Sequence, residues 1–107
     1  MLVRSDVLGQ MRLVVWVRME VLAGLVATAT STVATGIGNM IGNKGAVAVA
    51  LWIWSTPLIF INSHLAAHQN ETKRRNLDYS NIVAGLNISS YPSVDANLAN
   101  FEHIIWM

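Results

Sequence analysis

Val47-Ala-Val-Ala-Leu-Trp-Ile-Trp-Ser-Thr-Pro-Leu-Ile-Phe-Ile-Asn-Ser-His64 holds two apolar runs of strand length parted by a turn signal. In a strand over 47–54, Val47, Val49, Leu51 and Ile53 share one face. Ala46, Ala48 and Ala50 line the other, which ends in Trp52 and Trp54. Pro57 has no N–H for a central ladder but suits a strand start, so Ser55-Thr56-Pro57 reads as the turn. Leu58 to Ser63 is apolar on both faces, the pattern of a strand buried between layers. Two such strands joined tightly predict an antiparallel hairpin in the interior of a sheet.

Before the hairpin stands Thr35-Gly-Ile-Gly-Asn-Met-Ile-Gly-Asn-Lys-Gly45, and after it Leu65-Ala-Ala-His68. The glycine-rich loop satisfies neither common phosphate motif. Asn43 separates Gly42 from Lys44, and Gly45 stands where a P-loop needs Ser or Thr; Ile41 occupies the third glycine of a dinucleotide fingerprint, and a strand follows where a helix should. Its glycines still permit close backbone approach, and Lys44 offers a point charge to an anion. A glycine-rich β-turn with a solvated lysine has the same composition. Asn62 and His64 share a strand face with Leu58 and Phe60, where an amide and an imidazole can both donate to a phosphate oxygen. His64 and His68 have metal-pair spacing, but Leu65 stands where His-Glu-x-x-His has its glutamate, which disfavours zinc.

Further out, Met11 to Arg18 reads as a strand with Met11, Leu13, Val15 and Val17 on one face. Glu20 to Val26 suits one or two helical turns broken at Gly24, and Thr28 to Thr35 suits a pleated surface. Glu71 to Leu86 predicts the one clear helix, capped by Asn70, with Tyr79, Ile82, Val83 and Leu86 as its buried stripe. Extending that stripe backwards turns Arg75 and Asn76 inward and leaves Arg74 and Asp78 as a solvated outer pair. Residues 89–100 read as a polar loop around Tyr91-Pro92, and His103 to Met107 as an emerging strand.

The chain of 107 residues is one domain at most. It is 53% hydrophobic and 12% charged, against roughly 25% charged in an average soluble domain. That balance suits an inner slice of a larger α/β fold. The membrane alternative, a span over 45–61, is broken by Ser55-Thr56-Pro57 into pieces shorter than the about 20 residues a helix needs. The net charge of +1 says little about partners, since an electropositive site can be local; little basic surface and no interleaved aromatic–basic stripe disfavour nucleic acid. The absence of cysteine excludes disulfides and thiolate metal sites and permits a cytosolic setting. The start, Met1-Leu-Val-Arg-Ser-Asp6, lacks the apolar core of a signal peptide.

Thr35-Gly-Ile-Gly-Asn39, Gly42-Asn-Lys-Gly-Ala-Val47, Phe60-Ile-Asn-Ser-His-Leu-Ala-Ala-His68 and Arg74-Arg-Asn-Leu-Asp-Tyr79, in this order, resemble the inositol polyphosphate 5-phosphatase catalytic domain. The upstream strand at 11–18 extends the resemblance to residues 8–107. It implies the α/β sandwich of the endonuclease/exonuclease/phosphatase superfamily, four layers with two central sheets. The strands are expected to be mostly antiparallel, beside one clear helix. It also implies Mg2+-dependent removal of the 5-phosphate from phosphoinositides or inositol polyphosphates, at the cytosolic face of membranes through a lipid headgroup.

By match to the motifs, His64 would contact the scissile phosphate, and Asn43 and Lys44 would lie near the 1-phosphate. Asn62, His68, Arg75 and Asn76 would shape the substrate pocket. The family's Gly-Asp-x-Asn-x-Arg, Trp-Cys-Asp-Arg and Ser-Asp-His segments and its Asn and Glu metal ligands have no counterpart in these residues. The expectation is therefore the middle portion of one catalytic domain, truncated at both ends, holding no principal metal ligand and inactive alone. Two other readings are a phosphodiesterase or nuclease of the same superfamily, and a non-catalytic phosphoinositide-binding or interaction remnant of a truncated gene.

Overall fold

The computed structural model describes residues 1–37, 41–90 and 94–107. In chain order the elements are β1 (Leu2–Leu8), β2 (Met11–Trp16), α1 (Met19–Leu22), β3 (Leu25–Ala34), β4 (Gly45–Ile53), β5 (Thr56–His64), α2 (Thr72–Gly85), β6 (Ile88–Ser90), β7 (Val94–Ala96) and β8 (His103–Trp106). The central sheet has the order β3-β4-β5-β8, antiparallel except for the parallel β5–β8 pair. The hairpin expected from 47–64 thus occupies its interior. β1 pairs with β2, and β6 with β7, as separate antiparallel ribbons.

The alternation along β4 divides the core into two. Val47, Val49 and Leu51 pack with Leu13 and Val15 of β2 on one face of the sheet. On the other face Ala46, Ala48 and Ala50 pack with Ile59, Ile61, Ile82, Leu86 and Ile88. Alanines there leave room for α2 to come close to the sheet, and the aliphatics opposite fill the wider gap beneath the β1–β2 ribbon. The order is therefore ribbon, sheet, helix.

Three local expectations are corrected. The turn between β4 and β5 is Trp54-Ser55, while Thr56 and Pro57 already pair with Ile53 and Trp52. Trp54 has a φ of +51°. Its N–H bonds to Gly24 O at 2.6 Å, and its indole fills the space where a Cβ on Gly24 would stand. Pro57 is tolerated because the β5–β8 ladder starts one residue later, at Leu58 and His103. The start of α2 is not capped by Asn70: Glu71 holds the cap position and its side chain makes no capping bond.

The third correction concerns the face of α2. Asp78 and Ile82 are its buried residues, whereas Tyr79 is 53% exposed and Val83 is exposed as well. The inward line runs Arg74, Asp78, Ile82, one turn apart each time. Tyr79 lies over Trp106 of β8, with ring centroids 5.1 Å apart. Over 89–100 the chain forms β6, β7 and a 3-10 turn at Leu98–Asn100, closed by reciprocal Asn97 and Asn100 side-chain bonds. Tyr91-Pro92, and Gly38 to Met40 of the glycine-rich loop, lie outside the described residues. Among the described residues no helix is long and apolar enough to cross a membrane.

Candidate functional site

Gly45 pairs with His64 across β4 and β5, so Lys44, one residue before the strand, comes beside the imidazole. Lys44 Nζ is 2.7 Å from His64 Nε2. An ammonium only donates, so Nε2 accepts, and the proton of the neutral ring sits on Nδ1. Gly45 has a φ of +140°, and a Cβ there would run into Val33 O. Only glycine lets β4 begin so close to the end of β3.

A second close approach shapes the cleft. At Gly9, in the β1–β2 turn with a φ of +58°, a Cβ would meet Gly42 O. The ribbon turn and the glycine-rich loop therefore meet backbone to backbone. Gly9, Gln10, Met11, Gly42, Asn43, Lys44 and His64 enclose a cleft of about 460 Å³. Asn43 and Lys44 also line a neighbouring, more open cleft of about 570 Å³, bounded by Thr35, His68, Glu71, Arg74 and Asp78 among others.

The other expected site residues divide. His68, with a φ of +76°, is exposed on the larger cleft, away from His64. Asn62 shares the face of His64 but gives its amide to Arg12 O at 3.1 Å, tying β5 to β2 instead of facing an anion. Arg75 bonds Ala66 O, His68 O and Gln69 O together with Thr72 Oγ1, so its guanidinium holds the 66–69 loop. Asn76 is exposed on the outer side of α2, and neither cleft is lined by Asn62, Arg75 or Asn76. For Asn76 the inward expectation was wrong, because the helix is turned toward Asp78.

Arg74 and Asp78, expected in solvent, face the sheet. Asp78 is 1% exposed. Its carboxylate accepts from Ala66 N–H at 2.9 Å and from Arg74 Nε at 3.1 Å. Arg74 Nη2 in turn donates to Thr35 O at 2.7 Å. A buried carboxylate is tolerated when its lone pairs are met in this way. The i, i+4 spacing of a cation and an anion was visible in the sequence, but it reads the same on a solvated face. Among the described residues no three of His, Cys, Asp or Glu come together as a metal-holding group. His64 and His68 border different clefts.

This arrangement can be set beside known proteins. The model of the endonuclease/exonuclease/phosphatase family 2 matches residues 1–107. The chain belongs to that family. Among family relatives, the type II inositol 1,4,5-trisphosphate 5-phosphatase of Mus musculus is 35% identical over 100 residues, 89% of this chain and 10% of the relative. Synaptojanin-1 of Homo sapiens is 35% identical over 105 residues, 98% of this chain and 6% of the relative.

A solved structure, the inositol polyphosphate 5-phosphatase domain of SPsynaptojanin in complex with inositol (1,4)-bisphosphate and calcium, superposes with a TM-score of 0.85 at 29% identity. It covers 99% of this chain and 29% of the other. Over the described residues the fold is that of the matching part of this phosphatase domain: a mixed sheet, mostly strands, with one substantial helix. The chain spans about a tenth or less of the curated relatives named here.

Proposed function

We propose that this chain supplies the phosphate-binding middle of an inositol polyphosphate 5-phosphatase, which removes the 5-phosphate from phosphoinositides or inositol polyphosphates. The observation that carries the reading is the Lys44–His64 contact at the mouth of a cleft that Asn43 also lines. A cation, an imidazole and an amide meet there, groups that can each donate to a phosphate oxygen of one inositol phosphate. The named activities of relatives that match up to 98% of this chain support it.

In this reading His64 contacts the scissile phosphate, and Asn43 with Lys44 takes the 1-phosphate. Donors fixed at the end of β5 and at the neck of a loop hold the anion without reorganising as charge develops. His68 borders the adjoining cleft, while Asn62 and Arg75 support the frame. The divalent metal of the reaction is magnesium in this proposal, and the described residues bring together no three of His, Cys, Asp or Glu to hold it. The lipid form of the substrate would be met at the cytosolic face of a membrane.

The test is equilibrium binding of soluble inositol 1,4,5-trisphosphate and of phosphoinositide vesicles, beside single-stranded DNA, with phosphate release followed in the presence of Mg2+. Saturable inositol phosphate binding that Lys44→Ala weakens supports the reading. Preference for DNA overturns it in favour of a nuclease of the same family. A second reading, a non-catalytic phosphoinositide-binding module, rests on the same Lys44–His64 contact used for binding alone. Metal-dependent phosphate release by the full-length protein that His64→Ala removes selects the first reading, and binding there without release selects the second.

A further inference from the structure

We propose that Arg74 and Asp78 are positioning residues, which set the Lys44–His64 contact from the opposite side of the sheet's end. Both contacting residues connect to the pair through the backbone, Lys44 by way of Thr35 and His64 by way of Ala66. Lys44 O accepts from Thr35 N–H at 2.9 Å, and Thr35 O accepts from Arg74 Nη2 at 2.7 Å. Arg74 Nε donates to Asp78 Oδ1 at 3.1 Å, and Asp78 Oδ2 accepts from Ala66 N–H at 2.9 Å. Ala66 lies two residues after His64, whose Nε2 is 2.7 Å from Lys44 Nζ. These links form a closed circuit through α2, the neck of the glycine-rich loop and the end of β5.

The choice of residues argues for placement over plain cohesion. Ile82, one turn further along the same face of α2, joins the helix to the sheet with an apolar side chain. At position 78 an apolar residue would do the same without desolvating a carboxylate. The charged pair does what an apolar contact does not: its bonds are directional. Arg74 presents a planar fork to two acceptors at once, and the Asp78 carboxylate uses one oxygen for each partner. Among the described residues the buried Thr35 hydroxyl has no partner, and Thr35 is held there through its backbone. The circuit therefore fixes two peptide groups, and with them the separation of the lysine from the histidine.

What this geometry does for phosphate chemistry rests on the proposed function, but the geometry is testable without it. The measurement is the ring 15N spectrum of His64 in the labelled full-length chain at alkaline pH, where an imidazole is neutral. The intact protein should show Nε2 unprotonated and Nδ1 protonated. Lys44→Met gives the spectrum of the ring without its donor. Asp78→Asn keeps an acceptor for Ala66 but breaks the charge pair, and Arg74→Lys keeps the charge but loses the fork.

Both of these are expected to move the His64 signals to those seen in Lys44→Met, with the exposed His103 ring unmoved. Ile82→Ala should lower the melting temperature and leave the His64 signals in place. The proposal is overturned if Arg74→Lys leaves the ring as in the intact protein, whether or not Asp78→Asn folds. It is overturned equally if Ile82→Ala moves the ring as far. Failure to bind inositol phosphates would remove the proposed function and leave this readout intact.

Discussion

Gly45 stands opposite His64 in the β4–β5 register, with a φ of +140° and with Val33 O where its Cβ would be. Gly45→Ala should therefore destabilise the chain by more than about 1 kcal/mol, since a strained φ and a backbone collision act together. Chemical denaturation measures the cost. The same variant should weaken inositol phosphate binding at temperatures where it is still folded, because Lys44 moves with the strand start. Unchanged stability would show that β4 can begin without this glycine.

Lys44→Ala should lower affinity for inositol phosphates by about ten- to a hundredfold, the scale of one charge-assisted hydrogen bond at about 1.5–3 kcal/mol. The melting temperature should hardly change, because the lysine is only part-buried and carries no core contact. Calorimetric titration at two salt concentrations checks this, and the salt dependence should fall in the variant. Equal affinities would remove Lys44 from the site.

In the full-length protein with divalent metal, His64→Ala should reduce turnover by on the order of 10²–10³-fold, the usual cost of losing one fixed donor to a developing anion. Chelation of the metal should abolish phosphate release while Lys44-dependent binding persists, because Lys44 reaches a phosphate oxygen by its own charge-assisted bond. Steady-state kinetics and binding on one preparation separate the two. Turnover that survives His64→Ala within a factor of two or so would exclude contact with the scissile phosphate.

Ile82→Ala should cost about 2–5 kcal/mol, because the side chain is fully buried against the alanine face of β4. Ala48→Leu should also destabilise, through overpacking on that same face, typically by about 1–3 kcal/mol. Denaturant titrations of the two would show whether helix and sheet are in close contact there. Tolerance of both would mean a looser interface.

The sheet interior was legible in the sequence because strand alternation is strict in β4 and the apolar run of β5 leaves no polar face. The family was legible because its motifs are backbone-demanding: glycines at Gly42 and Gly45, then an amide and histidines ending a strand. What escaped was set by tertiary contact. β1 reads Leu-Val-Arg-Ser-Asp-Val-Leu, too polar to announce itself, and forms because β2 is there to pair with. The face of α2 was misjudged because a charge was assumed to point outward. A buried Asp78 is tolerable because the Ala66 N–H, from the loop after β5, donates to it beside Arg74, and no spacing within 71–86 encodes that second donor. Asn62 likewise found its partner, Arg12 O, fifty residues away.

β8 has a consequence for the order in which the protein assembles. It aligns His103 with Leu58, in parallel, whereas β4 and β5 are joined by a turn of two residues. Closing so long a loop carries an entropic cost that only the finished hairpin and helix can repay, so β8 should dock last. Trp106 is placed to time that event, with its indole N–H on Ser63 Oγ at 2.8 Å and its ring against Tyr79. In a refolding experiment its fluorescence should lag the far-ultraviolet signal of the hairpin, and that delay is the time the chain spends with one edge of its sheet still unzipped.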